Sequence, residues 1–390
     1  MKYTNLIAGI ILGTLCFPLV ADTNDWQTEI DLRYRLEIVD DDGFDKNATA
    51  STARLRLGLR SPEWSGLHFG VTAHGNRRIA SNRFNSTANQ RTQFPVVADP
   101  DDEGVSEAWI GYRASDQALI KIGRQRIVED NHRFIGNVGF RQLEQTFDAA
   151  TLSVSPGDKW QIDVRYLDRA QRIFGRSNPN RLLARADLDA WMLSVGRDFD
   201  NFAITGYAHR LIFDDRPASH RNLGIRATGQ FDLATGLGWR AELARQDGLR
   251  ELSAVSSQHY VHLRLSQNRE QWHWFAGHER LGGDGEYAFQ TPLATLHAHN
   301  GWTDRFLVTP ADGLIDTYVA AGTRVGAWRG LVKLHDFRSD NNSSRYGREY
   351  GLMVNRPLPA GLSFETKLAW FDGRQQADVG KLWLTLAGNW

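Results

Sequence analysis

Apolar and polar residues alternate one by one along many segments of this chain, and most of the polar positions are charged. Positions 29–38 read Glu-Ile-Asp-Leu-Arg-Tyr-Arg-Leu-Glu-Ile, and similar alternation recurs at 53–60, 160–166, 237–243 and 362–370. Successive side chains of a β-strand point to opposite faces, and helical spacing fits none of these segments. The sequence therefore predicts strands that have one apolar face and one densely charged face.

Two architectures can use such strands. A soluble sandwich places the charged face outside, whereas a membrane barrel turns the apolar face to lipid and the charged face inward. No segment beyond residue 21 reaches the roughly 18 apolar residues that a spanning helix needs, so a helical membrane protein is excluded. The 46 basic and 46 acidic residues give a formal charge of zero, which argues against a nucleic-acid-binding protein. A single cysteine excludes disulfide and Cys-zinc scaffolds.

The connections between the predicted strands favour the barrel. Short turns are predicted at 61–63, 114–116, 155–158, 198–200, 229–235, 266–268, 326–328 and 357–359. Longer polar segments are predicted at 40–50, 75–103, 127–146, 168–187, 213–221, 246–257, 280–314, 338–345 and 372–379. The two kinds alternate, as in outer-membrane barrels with tight periplasmic turns and long outer loops. These 17 connections predict an all-β, transmembrane antiparallel barrel of 18 strands, with a lumen that side chains alone cannot fill.

The first residues have the features of a cleavable export signal. Lys2 precedes an apolar run at 6–17 that is too short to span a bilayer, and Ala21 offers a small residue for cleavage. We therefore predict a signal peptide at 1–21 and a single-domain barrel at 22–390. The only cysteine, Cys16, lies inside the signal, so the exported chain has no thiol.

The last residues and the tryptophans are also typical of outer-membrane barrels. The final segment alternates and stops on an aromatic residue, Trp390, which looks like the assembly signal of bacterial outer-membrane barrels. Several tryptophans fit the aromatic girdles found at the two membrane interfaces, namely Trp191, Trp239, Trp272, Trp274, Trp370 and Trp383.

Arginine dominates the basic residues. Lysine occurs at only seven positions, so 39 of the 46 basic residues are arginine. A charged side chain on the lipid face costs roughly 2–4 kcal/mol near the bilayer midplane, so strand arginines should point inward or lie at the rims. Strand parity assigns to the lumen Arg33, Arg35, Arg54, Arg56, Arg113, Arg165, Arg226, Arg240, Arg264 and Arg324. Acidic residues of the same parity are Glu29, Asp31, Glu37, Glu107, Asp163 and Glu242.

This distribution of charge has two interpretations. The arginines and acids can form a neutralised ladder of ion pairs that braces the barrel wall. Alternatively, they form a positively biased conduit that attracts carboxylates, since the planar guanidinium binds a carboxylate bidentately. The zero net charge of the whole chain does not decide between the two, because it says nothing about local bias.

Two segments carry a family resemblance. Lys121-Ile122-Gly123-Arg124-Gln125-Arg126, followed by Asn131, Arg133-Phe134-Ile135-Gly136-Asn137, Phe140-Arg141-Gln142 and Phe147-Asp148-Ala149, resembles a strand–loop–strand segment of the alginate-export family of outer-membrane barrels. Phe289-Gln290-Thr291-Pro292-Leu293, followed by His297, Asn300-Gly301-Trp302, Asp304, Phe306, Thr309-Pro310, Gly313-Leu314 and Asp316, looks like a segment of uncharacterised members of that family.

The resemblance implies an 18-stranded barrel with an Arg-lined pore that passes an anionic polyuronate. By position, it implies that Arg124, Arg126, Arg133 and Arg141 line or overhang the constriction. Their implied ion-pair partners are Glu129, Asp130, Glu144 and Asp148. Gln145 stands where secretion-type members are expected to carry a basic residue, which argues against alginate itself as the cargo.

The arginine-rich segment at 127–146 is predicted to act as a constriction loop. Ordering such a loop on a surface would cost much conformational entropy, and pairing its charges with wall charges inside the barrel offsets that cost. A merely solvated outer loop is the alternative.

These features predict a passive, porin-like channel in the outer membrane, in contact with the bilayer and its surface lipids. Its cargo would be an anionic solute or a polyuronate, with periplasmic export components as possible partners and no nucleic acid. A structural or adhesive barrel is one alternative, and a hydrolase is another, although no motif ties a nucleophile to a base. His297 and His299 lack a third ligand at recognisable spacing, so we predict no metal, and we predict no cofactor.

Overall fold

Eighteen antiparallel strands form one closed barrel in the computed structural model, which describes residues 25–231 and 236–390. The strands are β1 (Gln27–Asp41), β2 (Ala48–Arg60), β3 (Leu67–Arg83), β4 (Asp102–Ser115), β5 (Ala118–Gln125), β6 (Thr146–Val154), β7 (Trp160–Gln171), β8 (Arg185–Asp198), β9 (Phe202–Phe213), β10 (His220–Gln230), β11 (Leu237–Gly248), β12 (Gln258–Asn268), β13 (Trp272–Leu281), β14 (Leu314–Val325), β15 (Trp328–Arg338), β16 (Arg345–Pro357), β17 (Leu362–Gly373) and β18 (Val379–Asn389).

The first and last strands close the barrel. Each strand pairs with its sequence neighbours, and β1 pairs with β18 in a register that runs from Asp31 opposite Asn389 to Asp41 opposite Val379. The backbone of Trp390 continues this ladder through two hydrogen bonds with Ile30, at 2.8 and 2.9 Å. Closure leaves no free sheet edge, which a barrel in lipid requires because unpaired backbone groups are costly there.

The predicted strand number and the alternation of short and long connections are confirmed. The longest connections span residues 126–145 and 282–313, both at the end of the barrel opposite the short turns. One boundary differs from the prediction, because β3 continues to Arg83 where a loop was expected from residue 75. Its polar end keeps pairing with β2, and Arg83 lies opposite Thr49, so backbone hydrogen bonds extend the strand beyond its apolar stretch.

Strand parity separates an apolar outer face from a polar inner face. Leu223 and Ile225 of β10 are exposed on the outside, and Arg226 lies on the inner face. The alternation in the sequence therefore corresponds to lipid-facing and lumen-facing positions, as expected for a membrane barrel. Of the predicted girdle, Trp191, Trp272 and Trp370 are exposed on the outer face.

Helical structure is confined to short pieces. A four-residue helix, α1 (Arg181–Ala184), and two three-residue helices lie in connections between strands. No helix within residues 25–231 and 236–390 has the length and apolar character that crossing a membrane requires. The predicted signal peptide at 1–21 lies outside the described residues.

The hydrophobic core lies inside the barrel, not between layers. The two longest connections fold inward, and their apolar side chains, among them Phe134, Ile135, Phe289 and Leu293, are buried against wall residues such as Tyr260. We call residues 126–145 the first inner loop and residues 282–313 the second inner loop. Together they fill part of the wide lumen that 18 strands enclose.

Candidate functional site

The two inner loops bind each other inside the barrel. Ile135 and Leu293 form a parallel β-bridge, and the backbone N–H of Gly136 donates to the Leu293 carbonyl at 2.9 Å. The Gln145 side-chain amide donates to the carbonyls of Gly136 and Leu293 at 2.8 and 2.9 Å. Because the two loops share these hydrogen bonds, they form one unit. The uncharged Gln145 thus has a structural role at the junction of the loops.

Two glycines allow the close approaches that this packing requires. A Cβ on Gly136 would lie 2.2 Å from Oγ1 of Thr295, so only glycine lets the first inner loop contact the second there. Gly301 has a φ of +90°, and a Cβ would lie 2.3 Å from Oε2 of Glu349. That carboxylate accepts hydrogen bonds from the backbone N–H groups of Trp302 and Thr303, which attaches the second inner loop to β16.

Wall arginines hold the first inner loop through its backbone carbonyls. Arg33 donates to the carbonyls of Gly139, Phe140 and Arg141 at 3.0 to 3.2 Å. Arg35 donates to the Phe140 carbonyl at 2.6 Å, and its guanidinium lies 4.3 Å from the centre of the Phe140 ring. Arg54 donates to the carbonyl of Gln142 at 3.2 Å. These guanidiniums satisfy polar backbone that would otherwise be buried without donors.

Glu144 anchors the same loop from within. It receives two hydrogen bonds from Arg126, at 2.8 and 2.9 Å, and lies 3.3 Å from Arg56 on the wall. Burial opposes ionisation of Glu144, but the charges of Arg56 and Arg126 outweigh it and hold its pKa well below the usual range. Arg126 also lies 3.5 Å from Glu107 of β4. The loop carboxylate is therefore an ionised link between loop and wall.

Arg141 and Arg133 connect both inner loops to the wall. Arg141 lies 2.9 Å from Glu37, 3.7 Å from Asp99 and 3.3 Å from Asp304, and it is buried. Burial alone would lower the pKa of Arg141, but these three carboxylates raise it above its usual value. Arg133 is 1% exposed and lies 2.9 Å from Glu279 of β13. Its guanidinium also donates to Asn300 of the second inner loop at 3.1 Å.

Glu129 and Asp130 meet the opposite wall. Glu129 lies 3.1 Å from His209 of β9. Asp130 pairs with Arg240 and lies 3.4 Å from Arg226. Burial opposes ionisation of Asp130, yet the pKa of its carboxyl is lowered because both guanidiniums face it. The first inner loop is thus held on two sides of the barrel.

The remaining predicted arginines of the wall also lie on the inner face. Arg165 pairs with Asp163 at 3.5 Å within β7. Arg113 lies near the short turns and pairs with Glu63 at 3.0 Å, and Arg324, at the same end, donates to the carbonyl of Gly326 at 3.2 Å. Arg264 lies 4.2 Å from the ring of Phe275. These positions agree with strand parity.

Two of the residues implied by the family resemblance lie elsewhere. Arg124 follows Ile122 by two positions in β5, and Ile122 is exposed on the outer face, so Arg124 also points outward. It binds Asp148 at 2.7 Å, and the pair continues to Arg169 at 3.6 Å. The expectation that Arg124 and Asp148 line the constriction is therefore corrected. The ion pair exists, but it lies on the outside near the long-loop end.

A cavity of about 300 Å³ remains inside the barrel beside the inner loops. It is lined by strand residues of the short-turn half, including Arg33, Arg264, Phe275 and Ser363, and by loop residues such as Phe140. Its cationic lining residues are Arg33, Arg35, Arg264 and Lys333. In the part of the chain that the structure describes, none of these four forms an ion pair with a carboxylate. Glu279 and Asp316 of the lining are bonded to other groups, and Glu365 adds one further negative charge.

Sequence reasoning missed two lysines and misplaced one tryptophan. Lys333 lines the cavity, and Lys367 is fully buried, 4.7 Å from the ring of Trp302 and 4.4 Å from that of Phe140. Inward parity between Val332 and Leu334 would have identified Lys333. Trp383, predicted for the girdle, is 1% exposed inside the barrel, as its position between two outward leucines would have indicated.

The two histidines considered as metal ligands have other partners. His297 stacks on Phe140 with ring centres 3.6 Å apart and contacts Asp304 at 2.7 Å. Burial lowers the pKa of His297 to about 3, against the opposing charge of Asp304. His299 contacts the carbonyl of Asn131 at 3.2 Å. Both imidazoles thus help to hold the inner loops together.

A closed barrel of 18 strands with an apolar outer face, a charged interior and inward-folded loops is an outer-membrane, porin-like barrel. The family model described as "Alginate export" matches residues 26–294, and the chain belongs to that family. Its place is the outer membrane, in contact with the lipid bilayer. The matched region includes the whole first inner loop and most of the second.

Solved structures share this fold at low sequence identity. OpdO of Pseudomonas aeruginosa is 16% identical, with 94% of this chain and 97% of that chain covered and a TM-score of 0.71. OccK9 (OpdG) of the same organism is 14% identical, with 94% and 98% covered and a TM-score of 0.74. OccAB4 of Acinetobacter baumannii is 12% identical, with 93% and 98% covered and a TM-score of 0.72. Among curated proteins, no sequence matches this chain.

Proposed function

We propose that this barrel passes small anionic solutes, of the carboxylate class, by diffusion through its arginine-lined interior. The observation that carries the proposal is the set of four cationic side chains at the cavity that have no ion-paired carboxylate: Arg33, Arg35, Arg264 and Lys333. A cleft with low-dielectric walls and charge of one sign concentrates ions of the opposite sign. Rings of arginine or lysine are the usual basis of anion preference in pores.

The other interior arginines support this assignment by being occupied. Arg56, Arg126, Arg133 and Arg141 face acidic partners, so they hold the inner loops and add little free positive charge. The balance at the cavity differs, because four cations face the single acid Glu365 that lacks an ion pair. Of the two interpretations of the charged lumen, the ion-pair ladder describes the loop attachments, and the positively biased conduit describes the cavity.

The size of the cavity favours small solutes over a polymer while the inner loops are bound. About 300 Å³ accommodates a small organic anion or a single sugar acid. Export of an anionic polysaccharide remains the second candidate, because the family is named for alginate export. In that case the inner loops must move, and periplasmic components could supply the directional drive.

The test of ion preference is the reversal potential across planar bilayers that separate two potassium chloride concentrations. We expect preference for chloride in the wild type, and a decrease of the anion-to-cation permeability ratio by about threefold or more in an Arg264→Gln/Lys333→Gln variant. Arg210→Gln is the matched control, because Arg210 is an exposed residue of β9 that pairs with Asp189. An unchanged ratio in the double variant, or cation preference in the wild type, would refute the proposal.

The two cargo classes are separated by adding monomeric uronate or long uronate oligomers to the same bilayers. A small-solute channel carries monomer current and is only blocked by the oligomers, whereas an exporter lets oligomers pass to the other side. A structural or adhesive barrel would show no single-channel conductance. We assign no catalytic residue, and measurable turnover of lipid or peptide by the purified protein would contradict that assignment.

A further inference from the structure

The lipid-facing surface has one groove that the channel does not use. Its volume is about 500 Å³, and it crosses β15 to β18 and β1 in the half of the barrel next to the long loops. Val332, Leu334, Leu352 and Leu368 line it with aliphatic side chains. Its depth comes partly from Gly380, where a Cβ would lie 3.0 Å from the ring of Trp370. An aliphatic groove on a lipid-facing surface has the chemistry to hold acyl chains.

An arginine cluster lies directly beyond this groove towards the long-loop end. On β15 the outward row runs Val332, Leu334, Asp336, Arg338, and on β16 it runs Leu352, Tyr350, Arg348. Asp336 accepts hydrogen bonds from Nε of Arg338, Arg345 and Arg348, at 2.9, 3.0 and 3.1 Å. The side chains of Arg338 and Arg348 are 52% and 51% exposed.

This cluster has an excess of positive charge. Three guanidiniums share the single carboxylate of Asp336, so one carboxylate leaves two positive charges uncompensated. The neighbouring pair Arg374 and Asp372, 3.9 Å apart, is neutral. Asp40 lines the far edge of the groove on β1 and is the one acid among its lining residues. Positive charge therefore concentrates above β15 and β16.

We propose that the groove and the arginine cluster form one binding site for a phosphorylated glycolipid of the outer leaflet, of the lipid A type. Its acyl chains lie in the groove, and its phosphate is bound by Arg338 and Arg348. The depth agrees, because long loops face the outside in outer-membrane barrels and the cluster lies at that end. Arginine also suits this ligand, since its fork donates two parallel hydrogen bonds to phosphate oxygens.

The arrangement favours a lipid over a second copy of the barrel as the occupant. The cluster would place like charges opposite each other if this surface met its own copy, whereas a phosphate supplies the missing negative charge. The groove also ends where the charged rim begins, which matches the boundary between acyl chains and phosphorylated headgroup in a lipid.

The experiment uses the full barrel, purified in detergent, with native mass spectrometry of complexes with diphosphoryl lipid A, its dephosphorylated form and phosphatidylethanolamine. We expect a preference for diphosphoryl lipid A in the wild type. In Arg338→Ser/Arg348→Ser we expect that affinity to fall by about tenfold or more, because charge-assisted hydrogen bonds to phosphate are lost. Heat-dependent electrophoretic mobility verifies that each variant is folded.

The matched control is Arg221→Ser/Arg245→Ser. These two arginines also share one carboxylate, Asp247, at 3.0 and 2.9 Å, and their side chains are 64% and 58% exposed. They belong to β10 and β11, which contribute nothing to the groove. We expect this control to bind diphosphoryl lipid A as the wild type does.

Four results would overturn the proposal. They are equal binding by the wild type and Arg338→Ser/Arg348→Ser, an equal loss in the control pair, equal binding of dephosphorylated lipid A by the wild type, and a dimer that the added lipid does not displace. A Leu368→Trp variant fills the groove without changing its charge, and it should weaken diphosphoryl lipid A binding severalfold while the arginines stay in place. Unchanged binding in that variant would exclude the groove from the site.

Discussion

A single residue type, arginine, does three different things inside this barrel. Arg33, Arg35 and Arg54 donate to backbone carbonyls of the first inner loop. Arg126 and Arg141 instead pair with carboxylates, and Arg264 lies on an aromatic ring with no ion pair among the described residues. The guanidinium can do all three because it carries five donors on a planar group whose charge is permanent.

Gln145 is the residue whose loss should loosen the inner loops most selectively. Its amide is buried and joins Gly136 to Leu293, so Gln145→Ala removes the donors of two carbonyls, at a cost of roughly 1–3 kcal/mol. We expect more frequent conductance fluctuations and faster proteolytic cleavage within residues 126–145. Gln117→Ala, at an exposed short turn, is the control and should leave both unchanged. Fluctuations at the wild-type frequency would mean that other contacts suffice to hold the loops.

At the residue scale, parity was a better guide to orientation than resemblance. Counting from exposed aliphatic neighbours gave inward positions for Arg33, Arg240 and Arg264, and the structure places them there. The family resemblance grouped Arg124 with the loop arginines because it precedes them in a motif. A motif fixes sequence position only, whereas the alternation with Ile122 fixes the side of the sheet.

At the scale of elements, the inward folding of the first inner loop followed from its charge. Four arginines and four acids between 124 and 148 need partners, and the charged inner wall supplies them. The inward folding of the second inner loop did not follow from sequence, because 282–313 has few charges for its length. It is attached instead by backbone and side-chain hydrogen bonds to Glu349 and to the first inner loop, which no periodicity reports.

A disulfide between the inner loops should distinguish a fixed constriction from a mobile gate. Ile135 and Leu293 are bridge partners, both buried, which brings their backbones within the range that a disulfide spans. We expect Ile135→Cys/Leu293→Cys to conduct chloride as the wild type does, with or without reductant, if small anions pass beside bound loops. Passage of uronate oligomers, if the loops must separate for it, should be lost on oxidation and restored by reductant.

The single variant Ile135→Cys is the control for that measurement. The only natural cysteine, Cys16, lies in the predicted signal peptide, so no other disulfide competes. The single variant should not respond to oxidant. If oxidation of the double variant abolished chloride current, the inner loops themselves would have to open for small anions, which would contradict passage through the cavity beside them.

At the scale of the whole molecule, the barrel was the part most open to prediction. Alternation over 8–11 residues gives the strands, and the strict succession of short and long connections gives their number and common orientation. The contents of the lumen were less open, because packing inside a barrel depends on contacts between residues far apart in the chain. Arg54 and Gln142 meet across 88 positions, and no local pattern records that contact.

The outward face should show the energetics of a surface in contact with lipid. Ile225 lies near the middle of β10, is 51% exposed and points away from the lumen. In lipid, Ile225→Arg should lower the free energy of unfolding by about 2–4 kcal/mol, because a guanidinium then replaces an aliphatic side chain near the bilayer midplane. Trp272→Arg is the control at the short-turn end, where the cost should fall to about 0–1 kcal/mol. Urea titrations in lipid vesicles measure both values. Equal costs at the two positions would mean that β10 is not centred in the bilayer, and the inward assignment of Arg226 by the same parity would then need another explanation.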